Sequence, residues 1–240
     1  MFLGLGLSLC SPRQGISGPP PPDAAHLLLD WNVAAATVVS GGVDGIVPAG
    51  SMATDANAAL AFQFARPVYT ASDSDFNGKP SASAVNEARA LRTGTFAVPI
   101  AQPSTWYIVA RVYGGASNMY WRLTAAGSQT SSATLRATGT AIVATSNVAA
   151  ITGSVTAGVR LLCAIYDGAS SAIYIDDMAT ANVTGNADTN ATVSVFTGTY
   201  DAQAADVSYK WARHLAFSGS HDQTTRQAVK AYLATLYGLP

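Results

Sequence analysis

The chain has 240 residues, 49% of them hydrophobic and only 11% charged, with a net charge of -1. An average soluble domain carries about 25% charged residues, so the exterior must be covered by Ser, Thr, Asn, Gly and Ala, or by partner subunits. The charge balance leaves no basic footprint for nucleic acid, and no apolar run reaches the roughly 18 residues of a membrane span.

From the amino terminus, Leu3, Leu5, Leu7 and Leu9 alternate with Gly4, Gly6 and Ser8. Period-two apolarity is a strand pattern, weakened here by glycine on the other face. The strip could add to another chain's sheet edge or lie in a partner's groove; a loosely packed terminus reads equally well. Met1–Cys10 lacks a basic leader region and a small-residue cleavage site, so it is read as mature sequence. Pro19–Pro22 form a stiff polyproline spacer, which divides an arm and spacer over 1–22 from a body over 23–240.

The body alternates short apolar runs with Gly, Ser, Thr, Asn and Asp. The runs predict strands over Leu27–Trp31, Leu60–Phe64, Trp106–Tyr113, Met119–Ala125, Ser132–Ala137, Ala141–Ala144, Val159–Tyr166, Ala172–Ile175, Thr192–Phe196 and Ser208–Phe217. Both faces of Trp106–Tyr113 are largely apolar, as for a strand covered on both sides. Val85–Leu91 reads as a helical turn. Near the end, Val229, Tyr232, Leu233 and Leu236 form one apolar helix stripe. Ser220 and Gln223 stand in capping-box spacing before it, and Gly238 supplies the stop. A helix of about 15 residues is marginal alone and must pack on the body.

Several ordered segments resemble the concanavalin A-like lectin/glucanase superfamily, in its laminin-G-like branch. They are Arg66-Pro67-Val68-Tyr69 with Phe76-Asn77-Gly78-Lys79-Pro80, then Trp106–Arg111, then Tyr166-Asp167-Gly168 through Ile173-Tyr174-Ile175-Asp176. Ala216-Phe217 followed by the last helix is similar to the branch's ending. Asp177 stands where glycine is common. The resemblance spans roughly Asp30 to Gly238. It implies an all-β fold: a two-sheet antiparallel jelly-roll sandwich with a short C-terminal α-helix. Chains of this kind with a short Gly/Leu-rich start also look like bacteriophage or prophage virion components.

The superfamily's glucanases use paired glutamates, and glycoside hydrolysis needs two carboxyl groups about the scissile bond. This chain has one glutamate, Glu87, and no such cluster, so no activity is expected. A nucleophile elbow of the Gly-x-Ser-x-Gly type is also missing. His26, His214 and His221 read as surface or satisfied structural histidines. Cys163 sits in an apolar run and reads as a buried small hydrophobe, with a Cys10–Cys163 bridge left open. No cofactor is expected. Calcium is the open alternative, because Asp167, Asp176 and Asp177 could gather hard oxygen ligands; solvated turn aspartates are the other reading. For sugar stacking the candidates are Trp121 with Tyr120 and Arg122, and Tyr107 with Tyr113, although aromatics also fill cores.

These readings point to a non-enzymatic virion structural protein, a tail or head fibre, spike or decoration component, located in the particle and assembled in host cytoplasm. The arm would bind other virion proteins, and the body would be displayed outward, with a host-surface glycan as possible ligand. A homo-oligomer is expected, a trimer if it is a fibre. The alternatives are a carbohydrate-binding adhesin outside a virion and, further off, a glycoside hydrolase.

Overall fold

A computed structural model describes residues 19–46, 49–51, 58–60, 66–84, 89–114, 117–125, 131–138, 140–146, 149–187, 191–198 and 208–240. The readings made for the arm, for Cys10 and for Glu87 fall outside them. The strands are β1 (Leu27–Asn32), β2 (Ala36–Val39), β3 (Gly42–Ile46), β4 (Ala58–Leu60), β5 (Val68–Asp73), β6 (Lys79–Ala84), β7 (Ala90–Arg92), β8 (Ser104–Val112) and β9 (Ser117–Ala125). They continue as β10 (Ser131–Thr138), β11 (Ala141–Ser146), β12 (Ala150–Ser154), β13 (Gly158–Tyr166), β14 (Ser171–Ile175), β15 (Val183–Gly185), β16 (Thr192–Gly198) and β17 (Tyr209–Ser218), and helix α1 (Gln223–Tyr237) closes the chain.

All pairings among the described strands are antiparallel. One layer runs β15–β14–β13–β8–β17, where β17 also pairs with β1 and, nearer its start, with β6, which continues to β5. The other runs β12–β11–β10–β9–β16–β7–β4. Strand β3 pairs with both β4 and β5 and so joins the layers along one edge. This is an all-β sandwich with one C-terminal helix, as the resemblance implies.

Strand β8 shows why two cores form. Its Trp106, Ile108, Ala110 and Val112 enter the core between the layers with Trp31, Trp121, Leu135, Leu162 and Trp211. Its Tyr107 and Val109 face outward into a second core, with Leu161, Cys163, Leu215 and Phe217. A sheet face that apolar must be covered, and Val229, Leu233 and Tyr237 of α1 cover it. Burying such side chains contributes about 1.5–3 kcal/mol each, enough to hold a helix that would not persist alone.

The helix is capped differently from the predicted box. Asp222 is the N-cap, its carboxylate accepting from Thr225 N at 2.8 Å. The helix starts at Gln223, so Ser220 is too far upstream to reach the first turn, and its hydroxyl donates instead to Asp167 Oδ2 at 2.7 Å. Gly238 takes the left-handed conformation, φ 64°, and returns its N–H to Ala234. The helical turn read over Val85–Leu91 is also corrected: residues 85–88 lie outside the described set, and Ala90–Arg92 is strand β7, which places Leu91 fully inside the intersheet core. Of Leu60–Phe64 only Leu60 is described, ending β4. The Asn77–Gly78 pair, both at positive φ, makes the turn into β6, a conformation only such residues adopt cheaply.

Candidate functional site

At the end of β17 the chain leaves the sheet through Gly219, at φ 84°, and crosses Ser220, His221 and Asp222 to reach α1. Three bonds pin this crossing: Gly219 N donates to Pro103 O at 2.8 Å, the Thr105 hydroxyl donates to Gly219 O at 2.8 Å, and His221 N donates to Thr105 Oγ1 at 3.0 Å. The start of the body lies beside it. Pro22, Asp23 and His26, with Ser218, Ser220, His221, Asp222, Thr224 and Thr225, enclose an open cleft of about 630 Å³.

Asp23 organises the cleft from a left-handed backbone, φ 60°, that short polar side chains tolerate. Its Oδ1 lies 2.7 Å from His26 Nδ1, and its Oδ2 3.2 Å from His221 Nε2. The second contact is an ion-pair distance without hydrogen-bond alignment, which leaves His221 Nε2 buried and unbonded. On its other side His221 Nδ1 shares a proton with the Tyr107 hydroxyl at 2.8 Å. Arg226 donates to His221 O at 2.6 Å and to Met178 O at 3.0 Å, with its guanidinium 4.0 Å over the Tyr174 ring. Burial lowers the His221 pKa, with Asp23 opposing. Burial also raises the Tyr107 phenol and pushes the Cys163 thiol up to about 12, so Cys163 is an inert core thiol, as its apolar setting suggests. The backbone bond from Thr225 lowers the Asp222 pKa and keeps that carboxyl ionised.

Next to the cleft, sharing Ser218 and Gly219, lies a more apolar groove of about 550 Å³ formed by Leu28, Val98, Pro99, Ile100, Ala101 and Pro103. Val98 is 72% exposed. A concave patch of carboxylates and hydroxyls beside an apolar shoulder matches a polyol that has hydroxyl edges and C–H faces.

The sequence-predicted residues are placed as follows. Tyr107, Tyr120 and Trp121 are fully buried, so none has a ring face open to a sugar, and the stacking role read for them is corrected to a core role. A bulge opposite Leu135 and Arg136 turns Tyr120 and Trp121 inward together. Trp121 donates its indole N–H to Tyr166 OH at 3.2 Å. Tyr113 is half-buried, with the Arg111 guanidinium 5.6 Å over its ring. Arg122 pairs through its backbone with Thr134 and Phe196, and its side chain lies outside the described residues.

The three aspartates proposed for calcium are each engaged with nearby protein donors. Asp176 pairs with Arg160 at 3.0 Å and accepts from Leu161 N; Asp177 accepts from Ala179 N; Asp167 accepts from Ser220. Among the described residues no group of three or more His, Cys, Asp or Glu is placed to hold a metal ion. The histidines divide three ways. His26 is exposed and His221 edges the cleft. His214 is fully buried, with neither ring nitrogen bonded among the described groups, and burial lowers its pKa to about 3. It is structural but not satisfied. The cleft residues Asp23, Ser220 and Asp222 carry no linear motif, because they come from opposite ends of the chain.

No family model and no curated protein matches this chain. Solved structures match it by fold. The binding domain of botulinum neurotoxin serotype D aligns with a TM-score of 0.61 at 7% identity, over 87% of this chain and 52% of that one. Botulinum neurotoxin type C, whose cell entry is described as dependent on two ganglioside molecules, aligns at 0.59 and 10% over 88% and 52%. Trypanosoma rangeli sialidase in complex with sialic acid aligns at 0.58 and 8% over 91% and 34%. This chain thus spans about half or a third of those chains. At such identities the likeness establishes a β-sandwich fold and nothing about function.

Proposed function

We propose that this protein is a non-enzymatic glycan-binding β-sandwich, displayed by a phage or phage-like particle, and that the cleft between Asp23 and Asp222 is its ligand site. The observation that carries the reading is the join of a carboxylate- and hydroxyl-lined cleft to an apolar groove along Ser218–Gly219. Neighbours of this fold that are described with gangliosides and sialic acid support a saccharide as the ligand class. A non-enzymatic role is supported by the sequence, which has a single glutamate where the glucanases of the superfamily it resembles use a pair. The particle is supported by the low charge, the Gly/Leu arm and the proline run. Both ends of that run lie against the body, with Tyr232 donating to Pro19 O at 3.1 Å and Pro22 lining the cleft. Several copies displayed together, a trimer in a fibre, would make weak sites effective through avidity.

The test is binding to arrayed glycans and bacterial polysaccharides by wild-type protein and by Thr224→Trp, which fills the cleft from the exposed first turn of α1. Saccharide binding that falls at least about tenfold in the variant is the expected result. Absence of binding to every saccharide would remove the glycan reading. Failure to detect the chain in purified particles by antibody labelling would move the module to the adhesin alternative.

A further inference from the structure

The charges around the cleft are one-sided. Asp23 and Asp222 line it, and Asp167 holds the Ser220 hydroxyl that also lines it. Among the described residues, no lysine or arginine lines it. Arg226, on the first turns of α1 behind the cleft, is 7% exposed and committed to His221 O, Met178 O and the Tyr174 ring. The start of α1 would attract an anion, but Asp222 already occupies that role as its cap. His26 and His221 both have Asp23 as their carboxylate neighbour, so a charge gained by either meets one already present. His221 Nε2, in a side chain 6% exposed, lies 3.2 Å from Asp23 Oδ2 and makes no aligned hydrogen bond among the described groups.

We infer that the cleft takes neutral or amino saccharides and rejects sialic and uronic acids, in contrast to the sialic acid bound by the sialidase of similar fold. The inference rests on the cleft being the glycan site. Carboxylates accept hydrogen bonds and cannot donate them. The ligand must therefore bring hydroxyl or ammonium donors. An incoming carboxylate would meet two like charges with no uncommitted cation among the described lining residues, a cost of about tenfold in affinity for each close contact.

The experiment is a glycan array carrying matched sets, the same backbone as neutral, amino-sugar, sialylated and uronylated members, read with wild-type protein at pH 7.5. The expected ranking puts neutral and amino members first and the acidic members at least about tenfold weaker. The Asp23→Asn/Asp222→Asn double variant should raise the ratio of acidic to neutral binding at least about tenfold, whatever it does to the affinity for the neutral members themselves, and asparagine still caps the helix. Acidic members bound as well as or better than their neutral parents by the wild type would overturn the inference and leave the glycan reading standing. The same holds if the double variant leaves the ratio unchanged. No binding to any member would overturn both.

Discussion

Strand β17 is buried on both sides, and the two sides treat polar atoms in opposite ways. Toward the opposing sheet, Trp211 lies 6.4 Å from Trp31, and His214 stacks 4.9 Å from Trp121 with Trp106 and Trp31 close by. There the indole N–H groups of Trp31 and Trp211 and both His214 nitrogens have no hydrogen-bond partner among the described groups. Toward helix α1, a bulge between Trp211 and Arg213 brings Arg213 to the same side as Ala212 and Leu215. Arg213 forks onto Asp30, at 2.8 and 2.6 Å, with both residues 2% exposed and the Tyr232 ring 5.0 Å away. A flat aromatic interior accommodates polar atoms by stacking and leaves them unbonded. The helix-covered side admits a full ion pair because both partners are placed to satisfy it.

The largest test of that contrast is Arg213→Ala. Removing one member of a buried pair leaves Asp30 charged and alone, so unfolding free energy should fall by about 3–5 kcal/mol in chemical denaturation. Replacing both, as Asp30→Leu with Arg213→Met, should restore most of the loss, since a well-packed apolar pair often matches a buried ion pair. If the double variant were as unstable as Arg213→Ala, the pair would be doing more than satisfying itself, and the contrast between the two sides would need revision.

The second test breaks the intersheet side. The folded pKa of His214, about 3, lies below the ordinary histidine value of 6.5. The unfolded chain therefore takes up a proton that the folded chain refuses. Stability from this group is complete above about pH 6.5 and is lost as pH falls toward 3, by about 1.4 kcal/mol per unit. By pH 5 the loss is about 2 kcal/mol. His214→Phe keeps a flat ring against the tryptophans and removes both the titration and two unbonded nitrogens. Urea unfolding at pH 7 and pH 5 should show the variant less acid-sensitive than wild type by that amount. Equal sensitivity would mean that His214 is hydrated or bonded in the folded state.

Much of the sandwich is legible in the sequence because alternation survives locally. Trp106–Tyr113 reads as covered on both faces, and it is. The ordered Asn77-Gly78 turn, the β13–β14 hairpin and the closing helix fall where the resemblance implies. The site is not legible, since it depends on what topology brings together. Asp23 and His221 meet only because β1 and β17 pair, and Ser220 turns from capping to Asp167 once the helix starts at Gln223. The aromatic candidates misled for a related reason. In an apolar strand, a ring that could stack a sugar and a ring that fills the core are written alike, and the bulge at Tyr120 hides two of them inside.

The smallest effect concerns the cover on the helix side. Gly238 ends α1 at φ 64°, and a Cβ there would meet Asn77 Cβ at 3.4 Å, an ordinary contact. Space is therefore not the obstacle to Gly238→Ala; the left-handed backbone is, at about 1 kcal/mol. Gly238→Asn should cost less, because asparagine tolerates that conformation. For a chain of this size the Ala variant should lower the thermal midpoint by about 2–4 °C, with Asn between it and wild type. The same substitutions should leave the acid sensitivity due to His214 unchanged, because they loosen only the helix side of β17. A change in that sensitivity would show that the two faces are coupled through the strand.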